Sequence, residues 1–214
     1  MVTDWKFFFS IVSVVVSSLA FLPYLWDTWH IKPQNDTRPT IAGIGCWVLS
    51  DGAILAAMIA NGVIEWLMVP YVVGGVLVIA FGMRKNFLIA QLEGVESKCS
   101  DIFAGWSRTD SICLGFVVSA IVVWGIARNP DYAIYLTVGS IVLGTWAVAS
   151  PLARDPYKEP LFAWILFLIG GVFGVLAVKD WSSSSSIPPA LFCVIQLTIV
   201  LLALRRYLPR FAAV

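Results

Sequence analysis

Histidine occurs once in this chain, as His30, and lysine is missing from every long apolar run. A lone histidine excludes a histidine-based metal cluster or catalytic triad. Without a lysine inside an apolar run, covalent retinal attachment is excluded too. HExxH, GxSxG and GxGD do not occur, so the chain is expected to be neither an enzyme nor a cofactor protein. The cysteines, Cys46, Cys99, Cys113 and Cys193, include no CxxC pair. They fit neither a disulfide framework nor a zinc site and are expected as buried thiols packing like small hydrophobes. Charge is scarce as well. Charged residues make up 13% of the chain, against about 25% in ordinary soluble domains. A net charge of +1 offers no basic surface, so nucleic acid is not an expected partner.

Apolar residues fill the gap, at 59% of the 214 positions. A water-soluble fold of this length could not hide so much apolar surface, whereas a polytopic helical membrane protein leaves its exterior to lipid. A span needs about 20 mainly apolar residues, with a range of roughly 17–25. Residues 7–26, 40–60, 66–83, 111–127, 132–150, 161–178 and 187–204 meet this requirement, and none shows the alternation of a strand. The expected fold class is therefore an all-α, multi-pass integral membrane protein with seven transmembrane helices. The first run resembles a cleaved leader only superficially. The residues before it are nearly neutral, and its apolar character continues to Trp26.

The connections divide by charge. With the N-terminus outside, the cytoplasmic face receives Lys32, Arg38, Arg84, Lys85, Lys98, Arg108, Arg154, Lys158, Arg205, Arg206 and Arg210. The outer face receives only Lys6, Arg128 and Lys179. The positive-inside rule selects this orientation and puts the C-terminus inside. The connection from Arg84 to Arg108 carries Phe87, Leu88, Leu92, Val95, Ile102, Phe103 and Trp106 at near-helical spacing. It reads equally as an interfacial amphipathic helix or as an extension of the third span.

Prolines hint at an internal duplication. Pro39 opens the second span and Pro160 the sixth. Pro70 lies near the outer end of the third and Pro188-Pro189 at the matching place in the seventh. Pro23 and Pro151 lie near the inner ends of the first and fifth. The separation is nearly constant for the first two pairs and a few residues longer for the third. Three spans, one linking span and three more give two parallel repeats about an axis along the membrane normal. Their bounds are 5–84 and 130–206, with the linking helix at 109–128.

This layout resembles the PQ-loop and SWEET superfamily of small transporters, which have seven spans as three plus one plus three and the N-terminus outside. Members carry a proline near the cytoplasmic end of each triplet's first helix; Pro23-Tyr24 and Pro151-Leu152 stand there, without the glutamine that follows in PQ-loop members. The resemblance implies alternating access between two triple-helix halves. SWEET-type sugar sites use asparagine on spans three and seven, and neither of the expected spans contains one. The superfamily also includes amino-acid and cystine exporters and a retrieval receptor, so the fold alone does not fix function.

Asp51 lies halfway along the second span. Every other charged side chain lies in a connection or within a turn or two of a span end. A carboxyl at mid-depth is costly, so it is expected to face a protein interior or a watery path. There it would carry a proton coupled to transport, or else bond permanently to a neighbouring helix. Trp47 precedes it by one helical turn and shares its face. Trp47 and Trp164 occupy similar depths in the two repeats and are expected to line a central aromatic substrate site. Trp146, Tyr71, Thr145 and Gln196 are its further candidates, with Pro23 and Pro151 as hinges. Trp5, Trp29, Trp66, Trp106 and Trp181 sit near span ends and read as the interfacial belt. The expected function is a small-molecule membrane transporter, proton-coupled where Asp51 carries a proton, with lipid and an unidentified small molecule as partners. The alternative is a non-transporting receptor or scaffold of the same fold, which would have a closed, dry bundle.

Overall fold

Long runs of leucine, isoleucine, valine, alanine and phenylalanine leave the backbone no polar neighbour but itself, and helices satisfy it internally. The computed structural model describes residues 2–30, 41–62, 66–92, 108–157 and 159–207. These form seven α-helices and no strand: α1 Val2–Trp29, α2 Ile41–Ala60, α3 Met68–Leu92, α4 Arg108–Ala127, α5 Pro130–Arg154, α6 Leu161–Ala177 and α7 Ser183–Leu204. A 3₁₀ turn, Arg205–Tyr207, follows α7. Four of the helices, α1, α3, α5 and α7, are long and apolar enough to cross a membrane, and the other three are apolar but yield shorter segments. Lys32, Arg38, Pro39, Cys99, Trp106, Lys158, Arg210 and the rest of the Arg84–Arg108 connection after Leu92 lie outside the described residues.

Two helices differ from expectation. α1 runs through Pro23 to Trp29, and α3 runs past Met83 through the buried Asn86 to Leu92. Hydropathy falls at those points, yet the backbone ladder continues. The α3 extension accounts for the first part of the connection, through Leu92.

Neighbouring helices trace a closed ring. α1 packs on α3, α3 on α2, α2 on α5, α5 on α7, α7 on α6, and α6 back on α1; α4 lies outside, against α5 and α2. Helix ends meet in two sets. At one end Lys6 Nζ donates to the Val178 carbonyl at 2.9 Å, and Asn61 Nδ2 donates to Asp131 Oδ1 at 2.9 Å. At the other, the Arg84 guanidinium lies 3.7 Å from the Trp29 ring centre, and Arg205 Nη1 donates to the Ala153 carbonyl at 3.0 Å. Lys6, Arg84 and Arg205 each reach the C-terminal end of a neighbouring helix, where a helix welcomes positive charge.

The outward face of α1 carries Phe8, Ile11, Val15, Leu19, Leu22 and Trp26, all exposed at three- and four-residue steps. That stripe is an unbroken apolar surface on a helix long and apolar enough to cross a membrane. Trp5, Trp29, Trp66 and Trp181 are also exposed near helix ends. Cys46 and Cys113 are buried and Cys193 is half-buried.

Where apolar surfaces meet in lipid, close packing of small residues takes over from the hydrophobic effect. Ser13, Ser17 and Ala20 of α1 are fully buried, and Gly170 and Gly174 of α6 form the opposing side of the seam. The Ser13 hydroxyl donates to the Gly170 carbonyl at 2.7 Å. A β-carbon on Gly170 would collide with the Ser17 hydroxyl and press on α1 backbone atoms at 3.2–3.3 Å. Gly170→Val is therefore expected to cost about 1–3 kcal/mol. Thermal unfolding in detergent should show a lowered midpoint, while Gly115→Val, at a position with open space around it, should leave it in place. Between α2, α5 and α4 the contact is polar. Ser50 Oγ lies 2.9 Å from Ser140 Oγ, which donates to the Cys113 carbonyl at 3.2 Å.

Candidate functional site

At the centre of the ring lies a cavity of about 80 Å³, large enough for several waters or one small solute. Every ring helix contributes to its wall: Phe21 and Tyr24 from α1, Trp47, Val48 and Asp51 from α2, Tyr71 and Gly75 from α3, Ile141 and Thr145 from α5, Trp164 and Phe167 from α6, and Phe192, Ile195 and Gln196 from α7. α4 contributes nothing to it. The wall draws on the last third of α1 and the first halves of α2 and α6, so the cavity sits toward the end marked by Arg84 and Arg205. Toward the other end the bundle is filled by Ile54, Ala57, Met58, Leu67, Met68, Ala133 and Ile134, all at most 3% exposed.

Asp51 is 5% exposed, and its Oδ1 has no hydrogen-bond partner among the described residues. Trp47, one turn earlier on the same face, packs its indole edge against Gly144 of α5, where any β-carbon would overlap the ring. Its Nε1 also has no partner among the described residues. Trp164 crosses Trp47 edge-on with ring centres 6.4 Å apart, and its Nε1 donates to Glu159 Oε2 at 2.9 Å. That bond orients the indole from just outside α6. Phe167 bridges the two sides, 5.5 Å from Trp164, 5.6 Å from Tyr71 and 4.8 Å from Phe21 between ring centres.

Gln196, 1% exposed, shares a hydrogen bond with the Tyr71 hydroxyl. The amide is satisfied with its oxygen toward Tyr71, because its nitrogen then donates to the carbonyls of Phe167 at 2.9 Å and Phe192 at 3.2 Å. The network ties α3, α6 and α7. Gln196→Leu orphans a buried hydroxyl and is expected to cost about 1 kcal/mol or more. Adding Tyr71→Phe removes the orphan, so the double variant should unfold in detergent at a higher midpoint than Gln196→Leu alone. Thr145 is committed to its own helix, donating to the Ile141 carbonyl at 2.7 Å.

Of the residues expected at the site, Trp47, Asp51, Tyr71, Thr145, Trp164 and Gln196 meet at the cavity. Trp146 does not; it is 68% exposed on the outside of α5. Adjacent helical residues point about 100° apart, so Thr145 and Trp146 cannot both face inward. Pro23 lies within α1 beside the wall residue Tyr24, and Pro151 lies in the last turn of α5. Sequence reading missed Phe21, Tyr24, Phe167 and Phe192. In helices this uniformly apolar, an inward phenylalanine carries no contrast with its surroundings. Their recurrence at similar depth on three spans was the available signal.

No protein-family model, curated protein or solved structure matches the chain.

Proposed function

We propose that this chain is a seven-span membrane carrier. A small molecule binds in the central cavity and is exposed alternately to the two faces as the triple-helix halves, 5–84 and 130–206, rock about it. The observation that carries the reading is the cavity itself, which bears a buried carboxyl with an unpartnered oxygen at the meeting point of six helices.

The order of helices in the ring supports the duplication. Within each proposed half the third helix lies between the first and second: α1–α3–α2 and α5–α7–α6. Between halves the first helix of each packs on the second of the other, α1 on α6 and α5 on α2. Exchange of the halves leaves this pattern unchanged, as a two-fold axis along the membrane normal requires. The caps repeat it too, with Arg84 on the end of α1 and Arg205 on the end of α5. On this reading α2, α4 and α6 also span; at 20, 20 and 17 residues they reach the lower range of spanning lengths, roughly 17–25. The resemblance to PQ-loop and SWEET transporters implies two such triple-helix halves.

A packed layer of Ile54, Met58 and Met68 lies between the cavity and the outer end, as in an inward-facing carrier. Pro23 and Pro151 each lack one helical N–H within helices that otherwise continue, near the inner ends of the paired first helices, where bending would open or shut the cavity. Asp51 would take a proton on one side and release it on the other. The test is uptake of a panel of labelled amino acids, small amines and sugars into proteoliposomes, with and without an imposed pH gradient. Accumulation above protein-free vesicles supports a carrier, and its dependence on the gradient supports coupling. A panel that equilibrates no faster than in empty vesicles overturns the carrier.

A further inference from the structure

The wall of the cavity has a one-sided chemistry. Seven aromatic rings face or border it: Phe21, Tyr24, Trp47, Tyr71, Trp164, Phe167 and Phe192. It contains one carboxyl, Asp51, and among the described residues no lysine, arginine or histidine. The remaining polar groups are largely committed, apart from Trp47 Nε1, a donor without a partner among the described residues. Thr145 donates to its own helix, and Gln196 and Tyr71 satisfy one another and two carbonyls. The free acceptor is Oδ1 of Asp51, 95% buried with its residue and without a partner among the described residues.

Each class of solute meets this wall differently. An anion, or the carboxylate of a zwitterion, finds no cation to pair with. A sugar finds too few uncommitted donors and acceptors to replace its water. A compact cation finds both elements that recognise one: ring faces, whose quadrupole attracts positive charge, and a carboxylate to neutralise it. Burial strengthens both by removing competing water.

We infer that the cavity binds a small organic monocation of the ammonium class, caged by the Trp47–Trp164–Phe167 side and paired with Asp51. The assignment rests on the carrier reading for its purpose, but binding is measurable without transport. Proton coupling then becomes competition for one site: the carboxyl holds either a proton or the cation.

The experiment uses the full chain in nanodiscs, with tetramethylammonium as the cation and neopentyl alcohol as a neutral solute of similar shape. Trp47 and Trp164 line the site, so binding is read as saturable change in tryptophan fluorescence. The expected result is saturation with tetramethylammonium and none with the alcohol. Affinity should fall about tenfold or more in Asp51→Asn and in Trp164→Leu, as loss of a desolvated cation–π or charge contact implies. On the unmutated chain, dicyclohexylcarbodiimide should label Asp51, and tetramethylammonium should protect it. Equal binding of the alcohol, undiminished binding by a folded Asp51→Asn, or labelling of Asp51 without protection overturns the inference. The two readings fail separately. Carriage of a neutral solute with no cation binding leaves the carrier and removes this ligand class. Cation binding without transport of any solute leaves the ligand class and removes the carrier.

Discussion

Asp51→Asn is expected to abolish pH-gradient-driven uptake while leaving the chain folded. The side chain is nearly isosteric, sits in a cavity rather than a packed seam, and surrenders no hydrogen bond to Oδ1, which has none among the described residues. What it removes is the ionisable group buried along the proposed path, and intramembrane ionisable groups are where proton relays are built. The gradient-dependent component should fall by about tenfold or more, to the level of a leak. Downhill movement of the solute, driven by its own gradient, should survive in part, because the aromatic walls remain. The unfolding midpoint in detergent should hold or rise, since a desolvated carboxyl is replaced by a neutral amide. Unchanged gradient dependence in a folded variant assigns Asp51 a structural role.

Thr145→Phe is expected to stop transport altogether by filling the space. Thr145 borders the cavity from α5, across the ring from α1, and its hydroxyl bonds only to its own helix, so replacement breaks no link between helices. An added ring would take up much of a cavity of about 80 Å³. Uptake should drop to the protein-free rate while the midpoint shifts by less than for Gly170→Val. At Gly170 the new atoms meet backbone; at Thr145 they meet empty space. The neighbouring change Trp146→Phe serves as the control. Trp146 faces outward, and its replacement should leave uptake intact. If Thr145→Phe transports normally, the cavity is not the path.

Much of the helical layout was legible because hydropathy measures what lipid demands of a span. The run at 40–60 is α2, Ile41–Ala60, and the run at 161–178 is α6, Leu161–Ala177. Hydropathy misses ends where helical bonding continues among polar residues, as it does in α1 beyond Trp26 and in α3 beyond Met83. Depth in the membrane was legible from position alone, which brought Trp47, Asp51, Trp164 and Gln196 into consideration together. Azimuth was not. With apolar residues on every side of each helix, nothing in the sequence says which way α5 is turned, and Trp146 was taken inward for that reason. The seam of α1 on α6 was legible and overlooked: Ser13 and Ser17 stand four apart, as do Gly170 and Gly174, the small-residue spacing that marks close helix contact.

The most direct test asks whether water reaches the carboxyl from one face at a time. In a background without native cysteines, single cysteines at Ile44, Val48 and Leu49 are treated with a membrane-impermeant, positively charged methanethiosulfonate from either side of sealed, oriented vesicles. Ile44 and Val48 border the cavity, and Leu49 is exposed on the outside of α2. The account predicts rapid modification of the first two from the face bearing Arg84 and Arg205, little from the other, and none of the third from either. Protection of all three from both sides would make the centre of the bundle dry and contradict a carrier.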